Sequence, residues 1–166
     1  MDEHARKVAL RMIPYALYLV GTRNAEVADP QADLNAFVAS WVTQCSFDPP
    51  LVALGLKRGT RGNAMVRASR VFTLNLLGAE QKDLAIRFFK DFPVDEATMA
   101  GVRYARGETG APVLLDLPAH VECRVVAIHE DGGDHDVVVA EIVAAGVRSE
   151  HARPLTHAET GWHYGG

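Results

Sequence analysis

The stretch NAFVASWVTQCSFDPP, Asn35 to Pro50, is the most informative part of this chain for its fold. Its apolar and aromatic residues predict a strand over residues 36–44. The middle of that strand holds Ala39, Ser40 and Trp41, where bulky branched residues would pack better. The double proline ends the strand, because proline cannot donate to a neighbouring strand. The sequence therefore poses the question of what the small residues make room for.

Further strands surround this stretch. Runs rich in aliphatic and aromatic residues, bounded by Pro, Gly or polar residues, predict strands over residues 15–22, 51–57 and 71–77. Two long valine-rich runs within residues 119–147, separated by the turn EDGGDH, predict an antiparallel hairpin. Several strands with tight turns favour a β-barrel, because a closed sheet hides the edges that such apolar strands would expose. We therefore predict a mainly β fold with a few short helices.

The helical signals are short. Apolar spacing predicts a helix over residues 2–12 that ends before Pro14 and packs on the body as a lid. A second helix is predicted over residues 80–90, and one or two helical turns are predicted within the segment RGTRGNAMVRAS, residues 58–69. Residues 24–34 are predicted to form a loop and residues 91–112 an irregular segment, because neither shows a sustained period.

Composition limits the classes of function. With 166 residues, 48% of them hydrophobic, the chain is predicted to be one soluble domain over residues 1–166. A net charge of -4 gives no broad basic face, so no nucleic-acid partner is expected. Two cysteines form neither a disulfide framework nor a zinc motif, which favours the cytoplasm. The apolar run near the N-terminus is too short to address the chain to a membrane.

The loop KRGTRGN, Lys57 to Asn63, follows a predicted strand and is a candidate phosphate site. It offers cationic side chains, a hydroxyl, an amide and two glycines that let backbone N–H groups approach an anion. A solvated basic loop is the alternative, and composition alone does not decide between them. The loop is not a P-loop, and the chain has no GxGxxG motif for a dinucleotide.

Other motifs carry little chemistry. Of the seven histidines, His129 and His135 flank an acidic turn, but no HExxH or paired Cys/His arrangement exists, so no metal is predicted. No GxSxG nucleophile motif occurs. Cys45 and Cys123 lie in strand-like apolar runs without an evident activating base, so we interpret them as small core residues.

Taken in order, the segments of residues 35–89 resemble the flavin reductase-like family, the FMN-binding split barrels. The matching series is a strand with Ala39-Ser40, the turn SFDPPLV, a strand, a loop with Lys and Thr, a short helix and a strand with an Asn-Leu pair. The hairpin with its Gly-Asp-His turn and the C-terminal segment PLTHAETGWHYGG are also similar to the family. The resemblance implies a mainly β, Greek-key split β-barrel, a homodimer, and one FMN per subunit near the interface.

The resemblance also implies roles for individual residues. Small residues at Ala36, Ala39 and Ser40 would let a flat flavin ring lie against the strand, and Asn35 and Trp41 are similar to FMN-contacting residues of the flavoredoxin-like branch. Lys57, Thr60 and Asn63 would hold the phosphate, with Arg58 as a helper, and Asn75 would lie near the ring or the ribityl chain. His135 is a candidate for the nicotinamide side of the flavin, or else a turn histidine that caps the hairpin; His120 and His157 are weaker candidates.

The implied activity is NAD(P)H-dependent flavin reduction, in which bound FMN, or FAD in its place, passes electrons to free flavin, a monooxygenase or another acceptor. Hydride transfer needs no acidic or basic side chain in principle, so no catalytic residue is predicted. The sequence does not choose between NADH and NADPH. One alternative is a flavoredoxin-like electron carrier that keeps FMN tightly bound, and another is a split barrel that has lost flavin.

Overall fold

A computed structural model describes residues 1–24, 30–162 and 164 of the chain. Within these residues the chain forms ten strands and five helices. The strands are β1 (Tyr18–Arg23), β2 (Leu34–Ala39), β3 (Val42–Phe47), β4 (Pro50–Lys57), β5 (Val71–Leu76), β6 (Thr98–Met99), β7 (Val102–Arg106), β8 (Pro112–Leu114), β9 (Ala119–His129) and β10 (His135–Val147). The helices are α1 (Glu3–Arg11), α2 (Pro30–Asp33), α3 (Arg61–Ser69), α4 (Lys82–Ile86) and α5 (His157–Thr160). The mainly β prediction is confirmed.

Seven strands form one antiparallel sheet in the order β2-β1-β5-β9-β10-β4-β3. Its two edge strands, β2 and β3, follow each other in the chain and are joined only by Ser40 and Trp41. In a flat sheet six strand spacings would separate these edges by about 29 Å. Three residue steps from Ala39 to Val42 span at most about 11 Å. The sheet is therefore rolled until its edges approach each other.

This rolled sheet is a split barrel, since β2 and β3 do not pair with each other in the described part of the chain. The split β-barrel that the resemblance implies is confirmed. After β4 the chain crosses through α3 and returns as β5 on the other side of the β9–β10 hairpin, which is the Greek-key element of the fold. The predicted hairpin over residues 119–147 is confirmed, with pairing from Val137 and His129 to Val147 and Ala119.

The single strand predicted over residues 36–44 is wrong, because the chain changes edges within it. The Val42 N–H donates to the Ser40 carbonyl at 3.0 Å, which turns the chain between β2 and β3. The Gly55 N–H donates to the Trp41 carbonyl at 2.8 Å and ties the junction to β4. The apolar pattern continues through the break, so periodicity alone does not show it.

Both faces of strand β1 are covered. Successive residues of a strand point to opposite faces, and Leu19 and Val20 of β1 are both fully buried. Leu19 belongs to an outer cluster and Val20 to the barrel interior. The interior contains Val20, Val52, Leu54, Leu56, Val66, Phe72, Leu74, Cys123, Val138 and Ala140. The outer cluster contains Leu17, Leu19, Leu34, Ala36, Leu77, Ala85, Phe88, Met99, Val102, Leu114, Leu117 and Leu155.

The outer cluster is covered by a second, three-stranded sheet, β6-β7-β8. Residues 91–112 were predicted to be irregular, and this is wrong, because these strands of two to five residues are too short for a period to show. The small sheet docks closely on β1 and β5. The Thr73 hydroxyl donates to the Pro112 carbonyl at 2.6 Å, and a Cβ on Gly21 would lie 2.5 Å from the same oxygen.

The helices agree with the sequence in position more than in packing. Helix α1 is capped by the Asp2 carboxylate, which accepts hydrogen bonds from the N–H groups of His4 and Ala5. The prediction that this helix packs on the body was wrong. None of its residues is buried, and Val8 is 46% exposed. Helix α4 is shorter than the predicted segment 80–90, and α3 extends over nine residues.

In the predicted loop 24–34, residues 25–29 lie outside the described residues, and the part that follows them contains α2. No helix in the described residues is long and apolar enough to cross a membrane.

Candidate functional site

A cleft of about 1260 Å³ runs along β2 and the Ser40–Trp41 junction. It is larger than the roughly 300–1,000 Å³ of most small-molecule sites. The end of β4 and the start of α3 form one side, and the segment after α4 and the C-terminal residues form the other. The residues that line the cleft include Asn35, Ala36, Phe37, Ala39, Ser40, Trp41, Gly55, Lys57, Thr60, Arg61, Gly62, Phe88, Phe89, Phe92, His157, Trp162 and Tyr164.

The β2 wall answers the question raised by its small residues. Among the described residues, β2 pairs with β1 alone, so part of its backbone hydrogen-bonding capacity faces away from the sheet. Ala36, Ala39 and Ser40 line the cleft beside it, and their small side chains take up little of its space. Asn35 lies at the same wall.

Trp41 presents an unused donor. Its ring packs over Gly55, where a Cβ would lie 3.1 Å from Trp41 Cε3. The indole Nε1 is buried and has no hydrogen-bond partner among the described residues. A buried donor is usually paired, and Trp41 lines the cleft, so a ligand carbonyl or ring nitrogen fits this position.

The β4–α3 loop provides the cationic end of the cleft. The Thr60 hydroxyl caps α3 by accepting from the Asn63 N–H at 3.2 Å and donates to the Lys57 carbonyl at 2.9 Å. The first N–H groups of α3 have no intrahelical acceptor, and the helix dipole favours an anion there. Lys57, Thr60 and Arg61 line the cleft at this end. The donor set suits a phosphate.

Arg61 was missed by the sequence analysis, although it stands in the quoted loop. The place of Arg61 in the sequence could have indicated this role. Thr60 is an N-cap residue, and the residue after an N-cap occupies the first helical position, where an anion is stabilised. Gly62, the next residue, allows close contact between α3 and β2, since a Cβ there would overlap the Phe37 ring.

Arg58 and Asn63, predicted at the phosphate, are placed beside the cleft and not in its lining. Both donate to the buried carboxylate of Asp136, from Arg58 Nε at 2.5 Å and from Asn63 Nδ2 at 2.8 Å. Arg67 also donates to it, at 3.1 Å. The Asn63 and arginine hydrogen bonds lower the pKa of Asp136, which keeps it ionised. These residues shape the loop that Lys57 and Arg61 use.

The structure corrects the expectation for Asn75. Its side chain is fully buried on the outer face of β5 and does not line the cleft. Its Nδ2 donates to the Leu19 carbonyl at 3.0 Å and the Thr73 hydroxyl at 2.9 Å, and its Oδ1 accepts from the Leu114 N–H at 2.8 Å. Asn75 therefore joins the two sheets and has no room for a ligand.

His135 lies behind the cleft lining, in contact with two residues that belong to it. Its ring centroid lies 4.5 Å from that of Trp41 with the ring planes tilted by 43°, and its Nε2 lies 2.7 Å from the Tyr164 hydroxyl. Its Nδ1 lies 2.8 Å from the carboxylate of Asp134, whose pKa is lowered by this hydrogen bond. Burial raises the pKa of Tyr164, so its hydroxyl is protonated at neutral pH.

The opposite wall is aromatic and was not predicted as part of a site. Phe88 and Phe92 meet edge to face at 4.9 Å, and Phe89 meets Trp162 in the same way at 4.7 Å. The three phenylalanines of RFFKDF, residues 87–92, are the sequence feature that could have indicated this aromatic wall. Lys82 lies 5.6 Å from the Trp162 ring.

Of the two weaker histidine candidates, His157 lines the cleft and His120 does not. His120 lies against Gly146 on the hairpin, where burial lowers its pKa. Among the described residues, no group of three or more His, Cys, Asp or Glu side chains is arranged to hold a metal ion.

A family model for the flavin reductase-like domain matches residues 10–166, nearly the whole chain. The chain belongs to the flavin reductase-like family. An FMN reductase (NADH), RutF 2, of Rhizobium rhizogenes is 36% identical over 121 residues, which are 73% of this chain and 69% of the relative. Diflavin flavoproteins of Nostoc and Synechocystis match 94% of this chain, but the chain spans only 26% of their length.

Solved structures agree with this family assignment. A homologue of nitrilotriacetate monooxygenase component B from Mycobacterium thermoresistibile has a TM-score of 0.77 and 26% identity, covering 93% of this chain and 81% of that chain. The NADH:FAD oxidoreductase SgcE6 of Streptomyces globisporus has a TM-score of 0.75 and 25% identity, covering 94% and 90%. The fold of this flavin reductase-like chain is thus shared along almost its full length.

Proposed function

We propose that this flavin reductase-like protein is an NADH-dependent flavin oxidoreductase that holds FMN in the cleft along β2. The observation that carries the proposal is the meeting, in one cleft, of a small-residue edge strand, a cationic helix start and Trp41, whose Nε1 has no partner in the described part of the chain. The RutF relative, an FMN reductase (NADH), supports FMN as the flavin and NADH as the donor.

Different residues of the cleft bind different parts of FMN in this proposal. Lys57, Arg61 and the first N–H groups of α3 hold the phosphate, while Ala36, Ala39 and Ser40 let the ring lie against the strand. Trp41 Nε1 donates a hydrogen bond to an acceptor on the ring, and Asn35 offers an amide elsewhere along the β2 wall. Bound FMN supplies the hydride chemistry. The aromatic wall of Phe88, Phe89, Phe92 and Trp162 keeps water away from that face of the cleft.

We propose a homodimer with the cleft close to its interface. Between Lys57 and Glu141 the outer face of β4 and β10 is apolar, and Val137, which is 44% exposed, pairs in register with Gly55 beneath Trp41. This apolar face therefore continues into the cleft lining.

The electron acceptor and the compartment are also proposals. The homologue of nitrilotriacetate monooxygenase component B supports a monooxygenase partner that uses reduced flavin. The match to diflavin flavoproteins favours the second candidate, an FMN-containing electron carrier. Two free cysteines, Cys45 and Cys123, support the cytoplasm as the compartment.

The test is to load the purified protein with FMN, measure its affinity by fluorescence, and add NADH anaerobically. Prompt bleaching of the flavin is expected for the reductase, whereas flavin that stays oxidised would favour the carrier. Arg61→Ala is expected to weaken FMN binding about tenfold, because it removes a charge-assisted phosphate contact. The matched control is Arg124→Ala, which removes an exposed charge from β9. Equal affinities for the two variants would contradict the phosphate placement.

A further inference from the structure

Tyr164 is the one cleft-lining residue in the described chain whose polar atom is bonded to His135. The hydroxyl lies 2.7 Å from Nε2 of His135, and the other ring nitrogen lies 2.8 Å from the Asp134 carboxylate. Trp41 packs against both rings, at 4.5 Å from His135 and 5.3 Å from Tyr164. The side chain of His135 is only 12% exposed, so its orientation is fixed.

The direction of each hydrogen bond follows from the chemistry of the three groups. An ionised carboxylate only accepts, so Nδ1 of His135 must carry the proton that it donates to Asp134. With the proton on Nδ1 alone, Nε2 is a lone pair, and the Tyr164 O–H donates to it. The oxygen of Tyr164, a residue that lines the cleft, then has only lone pairs left to offer.

We propose that Tyr164, oriented by His135 and Asp134, is a specificity-determining residue whose hydroxyl oxygen accepts a hydrogen bond from an N–H or O–H group of the bound ligand. This inference rests on the proposed function. The electron donor offers such a group in the primary carboxamide of nicotinamide, and FMN offers one in its ribityl hydroxyls. A ligand with only acceptors at this position is disfavoured, because its lone pairs would face those of the phenol.

The first measurement needs no ligand. The ¹⁵N chemical shifts of the His135 ring in the flavin-free protein are expected to show a protonated Nδ1 and an unprotonated, hydrogen-bonded Nε2. Tyr164→Phe is expected to move the Nε2 resonance toward that of a free lone pair. A proton on Nε2 in the wild-type protein at neutral pH would overturn the proposal.

The second measurement separates the two ligand groups. Fluorescence titration gives the dissociation constant of FMN on the flavin-free protein. On the FMN-loaded protein it gives those of NAD⁺ and of 3-acetylpyridine adenine dinucleotide, in which a methyl ketone replaces the carboxamide. If the partner is the carboxamide, the wild type prefers NAD⁺ by about tenfold and Tyr164→Phe loses this preference. If the partner is a ribityl hydroxyl, Tyr164→Phe instead weakens FMN binding by a similar factor.

The control is Tyr104→Phe, which removes a hydroxyl that donates to the Asp95 carbonyl at 2.8 Å and has no contact with His135. It is expected to match the wild type in all three constants. If Tyr164→Phe also matches the wild type while NADH still bleaches the bound flavin, the proposal for Tyr164 fails and the proposed function stands. If the wild type binds no FMN, the proposed function itself fails.

Discussion

Asp136 organises the cationic end of the cleft from below. It is almost fully buried and accepts hydrogen bonds from Arg58, Asn63 and Arg67, which belong to the β4–α3 loop and to α3. A buried carboxylate is stable only with such partners. One acidic residue on β10 therefore sets the position of the loop that follows β4.

We expect Asp136→Asn to destabilise the protein by about 2 kcal/mol, less than for a fully buried pair because the two arginines are 35% and 41% exposed. Since the folded-state pKa of Asp136 is lowered, its contribution is complete above the unfolded value of about 3.9 and is lost as pH falls through the folded value. Urea unfolding at pH 7 and pH 3 measures both effects, and the difference in stability between the two proteins should be smaller at the lower pH.

Glu130→Gln is the control for Asp136→Asn. Glu130 pairs with the same Arg67, but its side chain is 49% exposed, so its loss is expected to cost less than about 1 kcal/mol. Equal losses of stability in the two variants at pH 7 would mean that the buried site of Asp136 has no special weight.

The two cysteines differ sharply in their surroundings. Cys45 is exposed on β3, whereas burial in the barrel, followed in importance by the charge of Glu122, raises the pKa of Cys123 to about 12. Because the thiolate is the reactive form, one thiol is expected to react with Ellman's reagent at pH 8 in the folded protein and the second only in denaturant. Two fast thiols, or loss of the fast one in a variant other than Cys45→Ser, would contradict this.

At the scale of elements, the contact of α3 with β2 brings the phosphate end of the cleft to the ring end. Gly62 in the first turn of α3 faces Phe37 on β2, and no side chain fits between them. The capped start of the helix is thereby held against the small-residue strand. This contact, and not the loop alone, gives the cleft its shape.

Gly62→Ala is expected to cost about 1–3 kcal/mol in unfolding free energy, because the new methyl overlaps the Phe37 ring and pushes α3 outward. FMN affinity is expected to fall with it. Gly78→Ala is the control, since a Cβ there lies 3.5 Å from Gln81 Oε1, an ordinary contact, and its stability should change by less than about 1 kcal/mol. The double variant Gly62→Ala, Phe37→Leu should recover part of the loss; no recovery would refute the steric explanation.

The long secondary-structure elements could be predicted from the sequence, whereas the contacts of individual side chains could not. The hairpin β9–β10 carries its own valine runs and turn, so local pattern was sufficient. In β5, Phe72 and Leu74 point into the barrel, so Thr73 and Asn75 must face outward, but only the docked small sheet shows that this outward face lacks a ligand. Likewise, Arg58 and Asp136 are 78 residues apart, and no local pattern reveals such a pair.

At the scale of the whole molecule, the apolar outer face of β4 and β10 distinguishes the proposed dimer from a monomer. We expect Val137→Lys to shift the protein toward a monomer, because it places a charge in an interface that must bury roughly 800 Å² per subunit to be stable. Light scattering after size exclusion gives the mass. Ile86→Lys, at a side chain 45% exposed on α4 compared with 44% for Val137, is the control and should leave the mass unchanged. A wild-type monomer at micromolar concentration would contradict the dimer.

The unpaired edge of β2 also affects colloidal stability. A free strand edge is a template on which a strand from another molecule can add, and such addition is a route to fibrils. Here that edge forms a wall of the cleft, so whatever fills the cleft also covers the edge. A bound ligand therefore protects the protein from self-association as well as taking part in the reaction. The ligand-free protein is expected to aggregate sooner on storage than the ligand-bound protein.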